Sequence, residues 1–102
     1  MKTFKDIKFS QSKVVSRGNL QSTTKFDNGF TLSVIAGAHA YSTPREFNLD
    51  PDFFSSFEIA IFNSAGDFVT NHFVPDAEDD VLGWQNRGQI NALMLLIQSF
   101  AK

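Results

Sequence analysis

The stretch KFDNGFTLSVIAG, residues 25–37, constrains the fold more than any other part of the chain. Asn28-Gly29 is the pair favoured in two-residue hairpin turns, where both central residues need positive φ. The residues after it alternate: Phe30, Leu32, Val34 and Ala36 share one face, Thr31 and Ser33 the other, and Ile35 breaks the pattern. A period of two marks a strand with one buried face. The turn returns residues 20–26 as a polar, threonine-containing strand suited to a sheet edge. Ile7, Phe9, Val14 and Val15 supply a further short strand upstream.

A second hairpin is predicted in SSFEIAIFNSAGDFVTNHFV, residues 55–74. Phe57, Ile59 and Ile61 alternate with Glu58 and Ala60, Gly66 sits in the turn at 63–67, and 68–74 forms the returning strand until Pro75 ends it. Between the hairpins, residues 38–53 carry Pro44 and Pro51 and hold no period, which reads as a long loop. Loops of that length in a small domain are usually functional or disordered. The C-terminus is a helix, since Ile90, Leu93, Met94, Ile97, Phe100 and Ala101 fall on one stripe. Asn86 and Gln89 have capping-box spacing, weakened by Gly88 in the first turn. Apolar residues 81–84 are expected to tuck under the helix start. The predicted architecture is α+β: an antiparallel β-meander of four to five strands with one C-terminal α-helix packed on one face. One domain spans residues 1–102.

Twelve phenylalanines stand beside a single Tyr41 and a single Trp84. Phenylalanine has no polar handle, and a small core cannot hide twelve, so the remainder points to a contact surface. The second sheet face, with Ile35, Ala60 and Phe62 among Thr31, Ser33 and Glu58, is half apolar and suits a homodimer interface better than bulk water. The chain has no cysteine, which excludes disulfides, a thiol nucleophile and thiolate metal ligands. Its start, MKTFKDIKF, lacks the apolar run of a signal peptide, and the apolar run at 92–97 is too short to span a bilayer. The expected location is the cytoplasm, with no membrane contact.

Four carboxylates crowd PDAEDDVLGW, residues 75–84. Counted from Asp76, an EF-hand would need glycine at its sixth position and glutamate at its twelfth, where Val81 and Arg87 stand. No metal and no cofactor is expected. His39 and His72 lack zinc-ligand spacing, and no nucleophile elbow or phosphate-binding glycine loop occurs. The chain is therefore read as non-enzymatic. Charge is polarised: residues 1–45 hold seven bases against two acids, and residues 46–102 two bases against nine acids. Lys2, Lys5, Lys8, Lys13 and Arg17, interleaved with Phe4 and Phe9, offer an alternative nucleic-acid surface. The overall net charge of −2 argues against it.

Three stretches carry a resemblance: NGFTLSVIAG at 28–37, FEIAIFNSAGDFV at 57–69, and DDVLGW at 79–84 before the terminal helix. Over roughly residues 26–100 the chain resembles small uncharacterised proteins encoded by bacteriophages. It departs from them in a longer 38–56 loop and in QNRGQ, 85–89, where a more acidic helix start belongs. The resemblance implies an accessory protein of the host cytoplasm that binds and blocks a host enzyme or defence complex. The residues expected to meet such a partner are Tyr41, Arg45, Phe47, Phe53 and Phe54 of the loop, with Asp76, Glu78, Asp79 and Asp80 of the acidic turn. Aromatics beside clustered charge are the composition that binding hot spots favour.

Overall fold

A computed structural model of the chain describes all residues except 12–19, 76, 78, 101 and 102. Val14, Val15, Lys13, Arg17, Asp76, Glu78 and Ala101 therefore lie outside the described residues. Five strands, β1 (Ser10–Gln11), β2 (Leu20–Lys25), β3 (Thr31–Ala36), β4 (Phe57–Phe62) and β5 (Val81–Gln85), form one sheet in chain order. Every neighbouring pair is antiparallel. Among the described residues two α-helices, a single turn α1 (Thr70–Phe73) and the C-terminal α2 (Arg87–Gln98), and two 3-10 turns complete the fold. The expected α+β meander with a C-terminal helix is what the chain forms.

Register divides the sheet into two faces. Leu20 lies opposite Ala36, Val34 opposite Ile59 and Leu32 opposite Ile61. These residues and Phe57 pack with Ile90, Leu93, Met94 and Ile97 of α2 into one core. Burial of such side chains stabilises by about 1.5–3 kcal/mol each before entropy is subtracted. The helix begins on the expected capping box despite Gly88. Asn86 Oδ1 accepts from Gln89 N at 2.8 Å, and Gln89 Oε1 accepts from Asn86 N at 2.9 Å. The N-terminal segment lies along the helix. Lys2 N and Phe4 N donate to Gln98 Oε1 and Asn91 Oδ1, both at 2.9 Å.

The first turn differs from the two-residue form expected. Phe26 N donates to Phe30 O and Gly29 N to Phe26 O, closing a three-residue loop in which Gly29 alone has positive φ, 95°. That is the next most common hairpin connection. It frees the Asn28 amide to donate to Ile97 O (2.8 Å) and Phe100 O (3.0 Å), carbonyls at and just beyond the end of the helix. The second turn repeats the design, with Asn63 N to Asp67 O, Gly66 N to Asn63 O, and Gly66 at φ 86°.

The return of the second hairpin is the main correction. Residues 68–74 pair with β4 through a single bridge, Phe68 to Phe62, and then coil into α1. His72 accordingly lies on a helix rather than a strand. Val69 and Phe73 are buried four residues apart, a helical spacing that overrides the weak alternation of FVTNHFV. The Thr70 hydroxyl then takes a ladder position, accepting from Ile61 N at 3.0 Å and donating to Asp80 O at 2.6 Å. It thereby hands the free edge of β4 to β5. Residues 81–84, expected to tuck under the helix, are instead most of that edge strand.

Candidate partner-binding site

The face of the sheet away from α2 presents Thr31, Ser33 and Ile35 of β3 and Glu58, Ala60 and Phe62 of β4. Its key feature comes from a bulge in β5. Leu82 opposes Ile59 and Gln85 opposes Phe57, so Gly83 and Trp84 together face Glu58. Such a bulge re-aims one side chain. Trp84 sits at φ 54°, a left-handed conformation that costs an L-residue about 1–2 kcal/mol, and its indole is 56% exposed. The expectation that Trp84 would be covered is therefore wrong.

Tyr41 reaches the same place from the 37–43 loop, which folds back over the outer face. Ser42, buried, accepts from Gly37 N at 3.2 Å, and Thr43 bridges Ser56. Tyr41 N donates to Glu58 Oε1 at 3.1 Å, and Trp84 N donates to Tyr41 O at 2.9 Å. Glu58, which the alternation puts on the second sheet face, is only 2% exposed, with Tyr41 folded over it. The Tyr41 and Trp84 rings stack at 5.1 Å and 30°, and the Arg45 guanidinium lies 5.4 Å from the Tyr41 ring centre. Gly83 makes the approach fit, since a methyl group there would stand 2.6 Å from Tyr41 Cβ.

Further along the face, Phe68 is 46% exposed and leans on Phe62 at 4.6 Å. Two depressions adjoin it. One, about 250 Å³, is lined by Tyr41, Phe68, Asp79, Asp80 and Val81. The other, about 150 Å³ and more apolar, is lined by Ser33, Ile35, Glu58, Ile59, Ala60, Phe62, Phe68 and Val81. Phe68 and Val81 form the wall they share.

Tyr41, Arg45, Asp79 and Asp80 gather on or beside the outer face, while Phe47 and Phe53 are exposed on the loop. Phe54 is a correction: it is 1% exposed and belongs to the core. Arg87 holds its backbone in place. Nη1 and Nη2 donate to Phe54 O and Pro51 O, each at 2.8 Å, and the guanidinium lies 5.2 Å over Phe57 and 5.6 Å over Phe4. This anchors the 3-10 turn Pro51–Phe53, and Phe53 with it, at the start of α2. Sequence reasoning placed Phe62 on this face but missed Trp84 and Phe68 as surface residues. The one available signal was Trp84 directly after a glycine in a short strand flanked by polar residues.

Lys2, Lys5 and Lys8 are exposed, but Phe4 and Phe9 pack against the core instead of offering stacking faces. A cleft of about 640 Å³ between the N-terminal turn, the first hairpin and the end of α2 is lined by Lys2, Asp6, Asn28 and Gln98 among others. Those four polar residues are already engaged. Lys2 Nζ donates to Lys25 O, Asp6 accepts from Thr3, Asn28 caps α2, and Gln98 bonds Lys2. The Thr3 backbone N–H, and after it the Thr3 hydroxyl, hold the Asp6 carboxyl below its ordinary pKa. This is a structural seam. Among the described residues no group of three or more acidic or histidine side chains could hold a metal, and no helix is long and apolar enough to cross a membrane.

No protein-family model matches the chain, and neither does any curated protein or solved structure. Function is therefore read from the outer face itself.

Proposed function

We propose that the protein is a non-enzymatic binding module that engages a protein partner through the outer face of its sheet. The observation that carries this reading is the exposed Tyr41–Trp84 stack. Backbone hydrogen bonds, a buried carboxyl and a glycine hold two large rings at the surface, where they add nothing to the core. Rigid Tyr and Trp side chains supply large contact area at low entropic cost, and they are over-represented among interface hot spots. The left-handed Trp84 supports the same reading, because backbone strain of this kind persists where it serves a site. The resemblance to phage-encoded accessory proteins suggests a host enzyme or defence complex as the blocked target. Asp79 and Asp80 at the rim favour a partner surface of positive charge.

The test is selection from a random-peptide display library on the immobilised protein, with each selected peptide remeasured on Trp84→Ala and Tyr41→Ala. Selected peptides are expected to weaken by roughly tenfold or more on either variant, the loss a hot-spot residue gives. No enrichment, or peptides that bind the variants and the wild type alike, would overturn the proposal. So would a stable dimer in sedimentation velocity that Trp84→Ala dissociates, since a second copy would then cover this face.

A further inference from the structure

The two adjoining depressions differ in chemistry, and the difference specifies an occupant. The larger combines the rings of Tyr41 and Phe68 with Asp79, Asp80 and Val81. Aromatic faces carry negative electrostatic potential, so rings and carboxylates together favour a cation over an anion or a neutral group. At about 250 Å³ it falls below the roughly 300–1,000 Å³ of pockets for drug-sized ligands, which suits one side chain. The Tyr41 ring already carries the Arg45 guanidinium and the Trp84 stack, so an incoming cation is drawn chiefly by Phe68 and the two carboxylates. The smaller depression is lined by Ile35, Ala60, Phe62 and the shared Phe68 and Val81, and takes an apolar group.

We infer that the outer face reads a pair of neighbouring side chains on an extended partner segment, one lysine or arginine and one aliphatic. The inference rests on the proposed docking surface and adds its specificity. Because Phe68 and Val81 line both depressions, two neighbouring side chains of one segment can fill them together and cover the Phe68 ring. The aliphatic group supplies burial. The cation supplies selectivity, since rim carboxylates steer and discriminate more than they bind.

The probes are synthetic Gly/Ser octapeptides carrying one Leu and one Lys, either adjacent or one residue apart. Controls replace Lys by Glu or Leu by Ser. Binding is read from amide chemical shifts of the intact protein in a titration. The Leu/Lys peptides are expected to shift Phe68 and Val81 saturably and to bind about fivefold more tightly than the Leu/Glu peptides, as two rim charges allow. Asp79→Asn combined with Asp80→Asn is expected to erase that preference, while Ala60→Leu, which fills the apolar depression, erases only the contribution of Leu. Equal affinity for Lys and Glu peptides, or a preference that survives the double Asp→Asn change, would overturn the inference. If display-selected peptides depend on Trp84 but carry no basic–aliphatic pair, the docking face stands and this specificity falls. If no peptide touches the face, both fall.

Discussion

Replacing Gly83 by alanine tests the architecture of the outer face at its tightest point. The added methyl would stand 2.6 Å from Tyr41 Cβ, about 1 Å closer than ordinary carbon contact, so one of the two segments must move. β5 is fixed by its ladder to β4, so the 37–43 loop moves. Two hydrogen bonds are then strained, Tyr41 N to Glu58 Oε1 and Trp84 N to Tyr41 O. Overpacking of this kind costs about 1–3 kcal/mol, in line with weakening two hydrogen bonds. A loss of that size lowers the melting temperature by about 4–8 °C per kcal/mol in a domain this small. Urea unfolding followed by circular dichroism gives the stability. Trp84, the single tryptophan, reports separately by fluorescence whether its stack on Tyr41 survives. The decisive step is a double-mutant cycle with Tyr41→Gly, which removes the atom struck. In that background Gly83→Ala is expected to cost nearly nothing, leaving a coupling of about 1–3 kcal/mol. Equal costs in both backgrounds, or no cost in the wild type, would refute the proposed contact.

Three further outcomes follow from individual contacts. Thr70→Val leaves Ile61 N–H and Asp80 C=O without the hydroxyl that joins them and is expected to destabilise by about 1–3 kcal/mol in urea unfolding, whereas Thr70→Ser keeps both bonds and costs less. Asn28→Asp replaces a donor by a carboxylate facing the C-terminal carbonyls of α2, and is expected to lower the melting temperature more than Asn28→Ala does. Because the folded-state pKa of Asp6 is depressed, its contribution to stability is present above the unfolded value and is lost as pH falls through the lower folded value. A carboxyl ¹³C titration should place the Asp6 midpoint below the ordinary aspartate range, and Thr3→Val should move it back part of the way, since the backbone donor remains.

Much of the fold was legible because its signals are local. The alternation from Phe30 to Ala36 and the stripe from Ile90 to Ile97 each name a buried face, and both faces meet in one core. The errors arose where local patterns compete. FVTNHFV alternates weakly, yet burying Val69 with Phe73 favours a helix, and the Thr70 hydroxyl satisfies the strand edge that is left. Phe54 reads like Phe47 and Phe53 in sequence, but its ring packs beside Phe57 in the core while Arg87, thirty-three positions away, holds its carbonyl. Of the proposed site, loop aromatics and acids pointed to Tyr41, Arg45, Asp79 and Asp80. Trp84 and Phe68 escaped because nothing in a short apolar segment reveals a bulge or an early end to a ladder. Burial of Glu58 depends on a loop folding over its face, a non-local event with no period to read.

The most direct test of the central claim is an amide chemical-shift map of the protein with one display-selected peptide at saturation. Perturbations gathered at Tyr41, Phe68, Val81 and Trp84, with α2 and the N-terminal segment unchanged, are the expected result. Shifts centred on α2 or on Lys2, Lys5 and Lys8 would place binding on the opposite side of the sheet and contradict it.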